Sequence, residues 1–94
     1  MQDDRFEWDD EKARINLADH KISFEIAQLV FEDRQAVDDL DDREDYGEER
    51  ANRYGLVHGK LITVCYTYRL DRIRIISARR ATQREHKAYF ERRV

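Results

Sequence analysis

Arg72 and Arg74 occupy alternate positions of "RIRIIS", and Arg79 and Arg80 follow a few residues on. Alternate residues of a strand project to one side, so the first pair presents two guanidinium forks together, and such forks match the oxygens of a phosphate. Tyr66 and Tyr68 alternate in the same way upstream. Their rings can stack on bases and their hydroxyls can hydrogen-bond, while Glu49 is a carboxylate able to accept a proton. These residue types meet the needs of phosphodiester cleavage, and no metal is required when an RNA 2′-hydroxyl is the nucleophile. Arg50, Tyr68, Arg80 and Arg84 extend the surface expected to hold RNA.

Whether these side chains meet depends on strand register. Opposed residues of an unbulged antiparallel pair have a constant sum of sequence numbers. A two-residue turn at His58-Gly59 opposes Val57 to Lys60, Ala51 to Tyr66 and Glu49 to Tyr68. A three-residue turn through Arg69, Leu70 and Asp71 opposes Tyr68 to Arg72, Tyr66 to Arg74 and Val64 to Ile76. One sheet face then carries Val57, Ile62, Val64 and Ile76 at one end, and Glu49, Tyr66, Tyr68, Arg72 and Arg74 at the other. The same neighbours have a bland explanation, because Arg–Tyr and Glu–Arg pairs across strands are ordinary stabilising contacts.

The elements that must position these groups follow from periodicity. "RFEW" is a short aromatic edge strand, and Asp9 or Asp10 caps a helix reaching about His20. Lys12, Asn16 and His20 recur every four residues and share a helix face that reads as solvated. Ala13 and Leu17 lie on the neighbouring stripe, expected to be buried. His20 in the last turn also has a structural role open to it, complementing the helix dipole. Ser23 caps a second helix, "FEIAQLVFED", with Phe24, Ala27, Val30 and Phe31 facing the core. A weak strand at about 36–40 precedes a carboxylate-rich stretch whose spacing is wrong for calcium and suits a solvated loop. Strands follow at about 49–57, 60–68 and 72–78. Thr82 and Glu85 then form a capping box for a terminal helix buried through Tyr89 or Phe90, with Arg92 and Arg93 at its negative end. The order β-α-α-β-β-β-β-α predicts one α+β domain over residues 1–94, an antiparallel sheet packed with two N-terminal helices and a C-terminal helix.

Charge is segregated along the chain. Residues 1–50 hold 18 acidic and 7 basic side chains, whereas residues 69–94 hold 3 and 9, within a net charge of −3. A basic patch for a polyanion is expected despite the acidic total. The lone Cys65, in an apolar strand, excludes an intramolecular disulfide and reads as a small core residue; Trp8 reads as a lid on the core. No metal-ligand spacing and no cofactor motif is present. With no apolar run long enough for a bilayer and no signal-peptide pattern, a cytoplasmic protein without membrane contact is the expectation.

Three blocks of the chain carry a family resemblance. "FEWDDEKARINLADHKISFEIAQLVF" resembles the amino-terminal signature of BrnT-type toxins, F-x-W-D-x-x-K-x-x-x-N-x-x-x-H followed by S-F-E-x-A. "GEERANRYGLVHGKLITVCYTYR" and "RIRIISARRATQRE" resemble the family's E-E-R-x-x-x-x-G and R-I-R-I-I-S-A-R-x-A-x-x-x-E segments. The resemblance implies a toxin of a type II toxin-antitoxin system with a RelE-like ribonuclease fold, acting on RNA and inhibiting translation and growth. Its implied partner is a BrnA-type antitoxin, in a heterocomplex expected to be 2:2, which contacts operator DNA and makes the complex autorepressing. Carried over by position, Arg72, Arg74 and Arg79 bind the scissile phosphate, Glu49 is the base, Tyr66 orients substrate, and Lys12 and His20 match the motif, His20 as general acid. The competing expectation is a non-catalytic module of the same fold that binds RNA or protein. A direct DNA-binding regulator fits less well, since no helix-turn-helix is evident.

Overall fold

The computed structural model describes residues 1–41 and 47–91. The predicted carboxylate-rich loop falls largely within residues 42–46, and Arg92 and Arg93 follow residue 91, so these expectations lie outside the described residues. Strands β1 (Phe6–Glu7), β2 (Val37–Asp41), β3 (Arg50–Val57), β4 (Lys60–Arg69) and β5 (Arg72–Arg80) form one sheet in the order β1-β5-β4-β3-β2. Helices α1 (Asp10–His20) and α2 (Phe24–Ala27) precede β2, and α3 (Gln83–Phe90) follows β5. The element order is the predicted one. The sheet is mixed rather than antiparallel throughout, because β1 runs parallel to β5.

Each helix start has the side-chain cap its sequence offers. Asp9 accepts from the amides of Glu11 and Lys12, and Ser23 from that of Ile26. Thr82 and Glu85 form the reciprocal capping box. The second predicted helix is α-helical only to Ala27 and continues as a 3₁₀ segment, Gln28–Glu32. This tightening still points Phe24, Ala27, Val30 and Phe31 at the sheet, where all are buried.

On the stripe assigned to α1, Ala13 packs against the core, whereas Leu17 is corrected. Leu17 is 49% exposed, whereas Asn16 is buried. Its amide nitrogen donates to the carbonyls of Ile22 (3.0 Å) and Ala78 (2.9 Å), and its oxygen accepts from the Ala78 amide (3.0 Å). Two of these hydrogen bonds tie α1 to the free edge of β5, satisfying backbone groups of Ala78 that no strand pairs there, and the third holds the turn after α1 at Ile22. A polar residue thus does the anchoring that apolar periodicity had assigned to leucine.

The main core lies between the first face of the sheet and the α1–α2 segment. Phe6, Trp8, Phe24, Phe31, Val64, Tyr66, Ile73 and Ile75 belong to it, with Trp8 edge-on to Phe24 at 5.7 Å and Phe31 edge-on to Tyr66 at 5.0 Å. Helix α3 covers part of the opposite face, where Tyr54, Leu61 and Tyr89 form a smaller cluster. Tyr89 is the buried aromatic and Phe90 stays exposed. Asp33 braces this second layer, accepting from the Leu56 amide (2.8 Å) and the Tyr89 hydroxyl (2.6 Å). Gly55 lets β3 pack closely on this segment, since a Cβ there would lie 3.1 Å from Asp33 Oδ2 and 3.2 Å from the Ala36 methyl and would push those neighbours back by a few tenths of an ångström.

Candidate nucleic-acid interface

The β3–β4 register is the predicted one, with Val57 opposite Lys60 and Ala51 opposite Tyr66 around a turn in which His58 and Gly59 both have positive φ. Glu49 lies just before β3 and outside its strand pairs, so the expected Glu49–Tyr68 pair does not form. The β4–β5 register is corrected. Its turn contains two residues, Leu70 and Asp71, and it opposes Arg69 to Arg72, Thr67 to Arg74 and Tyr66 to Ile75. Arg72 and Arg74 therefore face away from Tyr66 and Tyr68. The cause is burial: the observed register turns Ile73 and Ile75 into the core, where the expected one would have placed the two arginines. A bulge then shifts the pairing, opposing Cys65 to Ser77, and returns Ala78 to the core.

Tyr66 consequently belongs to a structural network on the helix-covered face. Its hydroxyl donates to Asp38 (2.8 Å), which also accepts the Arg53 fork at 2.9 and 2.8 Å, and the Arg53 guanidinium lies 4.8 Å from the Phe31 ring centre. Burial raises the Asp38 carboxyl, but bonds from Arg53 and Tyr66 outweigh it and leave the pKa below the usual value. Burial and the Asp38 charge push the Tyr66 phenol upward. Tyr66 is thus a neutral donor committed to Asp38, away from the arginines.

The opposite face collects the guanidiniums. One row across the sheet reads Glu7, Arg74, Thr67 and then, on β3 and β2, Arg50 and Asp41. Arg69 and Arg72 form the next row outward, and Arg79 sits opposite Thr63 toward α3. Five arginines therefore share a face that α3 covers only at one end. Glu7 receives Arg74 at 2.7 Å and lies 3.7 Å from Arg69. Arg72 donates to the Asp3 carbonyl at 2.6 Å, and Arg50 lies 3.3 Å from Glu48. Glu49 reaches this face through its backbone, its carbonyl accepting from the Thr67 hydroxyl at 2.6 Å, while its exposed side chain stands beside Arg50 in sequence.

Arg79 is held most firmly. Its fork meets Glu85 at 2.8 and 3.1 Å, and Glu85 also accepts from the Thr63 hydroxyl and the Thr82 amide. Arg84, on the first turn of α3, lies 3.7 Å from Asp39 and 4.0 Å from Glu85. Arg80 turns to the other face, where with His20 it lines a separate cleft. His20 is thereby removed from the five arginines. Lys12 is exposed on α1, and both Lys12 and Arg74 help hold the Asp9 carboxyl low, after the hydrogen bond that the Lys12 amide donates to it. Cys65 is half-buried, its thiol 3.9 Å from Asp41.

Sequence reasoning missed Arg69 and Glu7. Arg69 had been assigned to the turn, and the parallel pairing of β1 with β5 leaves no signal in a two-residue strand. The acid-rim, arginine-centre row appears only when five strands are laid side by side. Among the described residues, no cluster of side chains suited to a metal ion is present, and no helix is long and apolar enough to cross a membrane.

No curated protein matches the chain in sequence. A family model described as "Ribonuclease toxin, BrnT, of type II toxin-antitoxin system" matches residues 8–85, a span holding both the arginine-rich face and the capping box beneath Arg79. The chain therefore belongs to the BrnT family of ribonuclease toxins of type II toxin-antitoxin systems.

Proposed function

We propose that this chain is a RelE-like, metal-independent endoribonuclease that cuts RNA in the cytoplasm across its arginine-bearing sheet face, inhibiting translation and growth. A BrnA-type antitoxin neutralises it and supplies the DNA-binding part of an autorepressing complex. The observation that carries this reading is the gathering of Arg50, Arg69, Arg72, Arg74 and Arg79 on one face of a ribonuclease-family chain whose net charge is −3.

In the proposed reaction the 2′-oxygen attacks the adjacent phosphorus and its proton passes to Glu49. The bond from phosphorus to the 5′-oxygen breaks, that oxygen takes a proton from water, and a 2′,3′-cyclic phosphate and a 5′-hydroxyl result. Arg72 and Arg74 hold the phosphate as charge develops on its oxygens. Glu7 fixes the Arg74 fork at the face, so less conformational freedom is lost when phosphate arrives. Arg79 braces the neighbouring end through Glu85.

Induced expression should arrest growth, with new RNA ends that carry cyclic phosphate and that form in purified reactions containing a chelator. Arg74→Ala should lower the cleavage rate at least about 100-fold, the scale of losing one charge-stabilising donor. Arg79→Ala is the poorer probe, because it strands a buried carboxylate. Chelator-sensitive cleavage would overturn metal independence. A second reading, a binding module without catalysis, draws on the pairing of Arg74 and Arg79 with Glu7 and Glu85; RNA bound but left intact by the native chain would establish it.

A further inference from the structure

A cleft of about 470 Å³ opens at the end of the sheet remote from Arg72, between the C-terminal end of α1 and the β3–β4 hairpin. Its floor is aliphatic, made by the buried Ile22, Val57 and Ile62 with Ile26 beside them. Its rim is His20, Lys21, His58, Lys60 and Arg80, and no carboxylate is among its lining residues. In a chain with 21 acidic residues, a concavity lined by five basic side chains and no acid is a selective arrangement. The side chains of His20, His58, Lys60 and Arg80 make no hydrogen bond or ion pair among the described residues, unlike the five arginines of the other face, each of which is engaged by Glu7, Glu48, Glu85 or the Asp3 carbonyl.

We infer that this cleft receives an acidic segment of the antitoxin bearing aliphatic side chains, with carboxylates meeting the rim and the apolar residues meeting the floor. The lining chemistry favours protein over RNA. RNA recognition relies on aromatic rings that stack on bases, and this cleft has an aliphatic floor with no Phe, Tyr or Trp; an amphipathic peptide laid in a groove uses such a floor. The location supplies a route to neutralisation. Arg80 in the cleft and Arg79 on the opposite face are consecutive, so a segment anchored here leaves the cleft one residue from the margin of the arginine face.

The inference rests on the toxin-antitoxin reading, and its test separates the two. In His58→Asp/Lys60→Glu the hairpin keeps a favoured Asp-Gly turn, since position 58 already has a φ of 51°, while the two new carboxylates cancel the rim's net positive charge. Affinity for the purified antitoxin encoded beside the toxin should fall at least tenfold, with RNA cleavage retained and no longer silenced at antitoxin concentrations that silence the native chain. In the native complex Lys21 and Lys60, exposed in the free chain, should become protected from acetylation. Unchanged affinity, or unchanged lysine labelling on adding antitoxin, would overturn the inference. So would lost cleavage with undiminished antitoxin binding, which would give the cleft to RNA. A native chain that cuts no RNA would defeat the ribonuclease proposal while both antitoxin measurements still report on docking.

Discussion

Glu85 shows how one side chain can serve cap, sheet and arginine at once. It is 2% exposed, yet it accepts from the Thr82 amide, the Thr63 hydroxyl and both terminal nitrogens of Arg79. Burial pushes its carboxyl up, but Arg79, Thr82 and Thr63 together outweigh burial and bring the pKa down to about 2, from an ordinary 4.5. Because the folded pKa is the lower one, its contribution to stability is complete above about pH 4.5 and drains away as pH falls toward 2. Glu85→Gln should cost about 2–3 kcal/mol at neutral pH, as expected for breaking a buried pair whose cation is partly exposed. The variant should also have a flatter stability profile between pH 5 and 3, measured by urea unfolding across that range; a parallel pair of profiles would refute the ionic role. Buried acids are rare unless paired. The T-x-x-E spacing revealed the capping half of this arrangement in the sequence, and the Arg79 half needed β5 and α3 in place.

The β4–β5 hairpin shows where sequence reasoning fails. Without Gly, Asn or an Asp-Gly pair at residues 69–71, turn chemistry did not identify the two-residue connection, and the structure accepts Leu70 at a φ of 56°, 90% exposed. A left-handed leucine costs about 1–2 kcal/mol, and the burial of Ile73 and Ile75 in the resulting register outweighs it. Leu70→Gly relieves that strain and gives back part of the gain as chain entropy. The variant should be more stable by about 0.5–1 kcal/mol, raising the melting temperature by a few degrees in a calorimetric scan; a lower melting temperature would show that Leu70 is not strained. The element order, the His58-Gly59 turn and the residues that cap the three α-helix starts were legible, because each depends on residues close in sequence. What had no local signature was longer-ranged: the one-residue difference in this turn that moved Tyr66 and Tyr68 to the opposite face from Arg72 and Arg74, the bulge at Cys65, and the parallel pairing of β1.

At the scale of the molecule, the sheet separates two kinds of positive surface. One face offers guanidiniums already oriented by acids and backbone, suited to a ribose-phosphate chain crossing the strands. The far end of the other offers basic side chains around aliphatic residues, suited to a protein segment. Salt dependence distinguishes them, since a single-stranded nucleic acid releases about 0.7 counterion for each phosphate neutralised. If about four of the five face arginines meet phosphates, the logarithm of the binding constant for a single-stranded RNA blocked at its 2′-oxygens should fall against the logarithm of salt with a slope near −3. Arg74→Ala should make that slope shallower by about 0.7, and His58→Asp/Lys60→Glu should leave it unchanged. Fluorescence anisotropy over a salt series reads all three chains. A slope unmoved by Arg74→Ala but reduced by the cleft variant would reverse the assignment of the two surfaces, because only a residue facing the nucleic acid can change the number of ions it displaces.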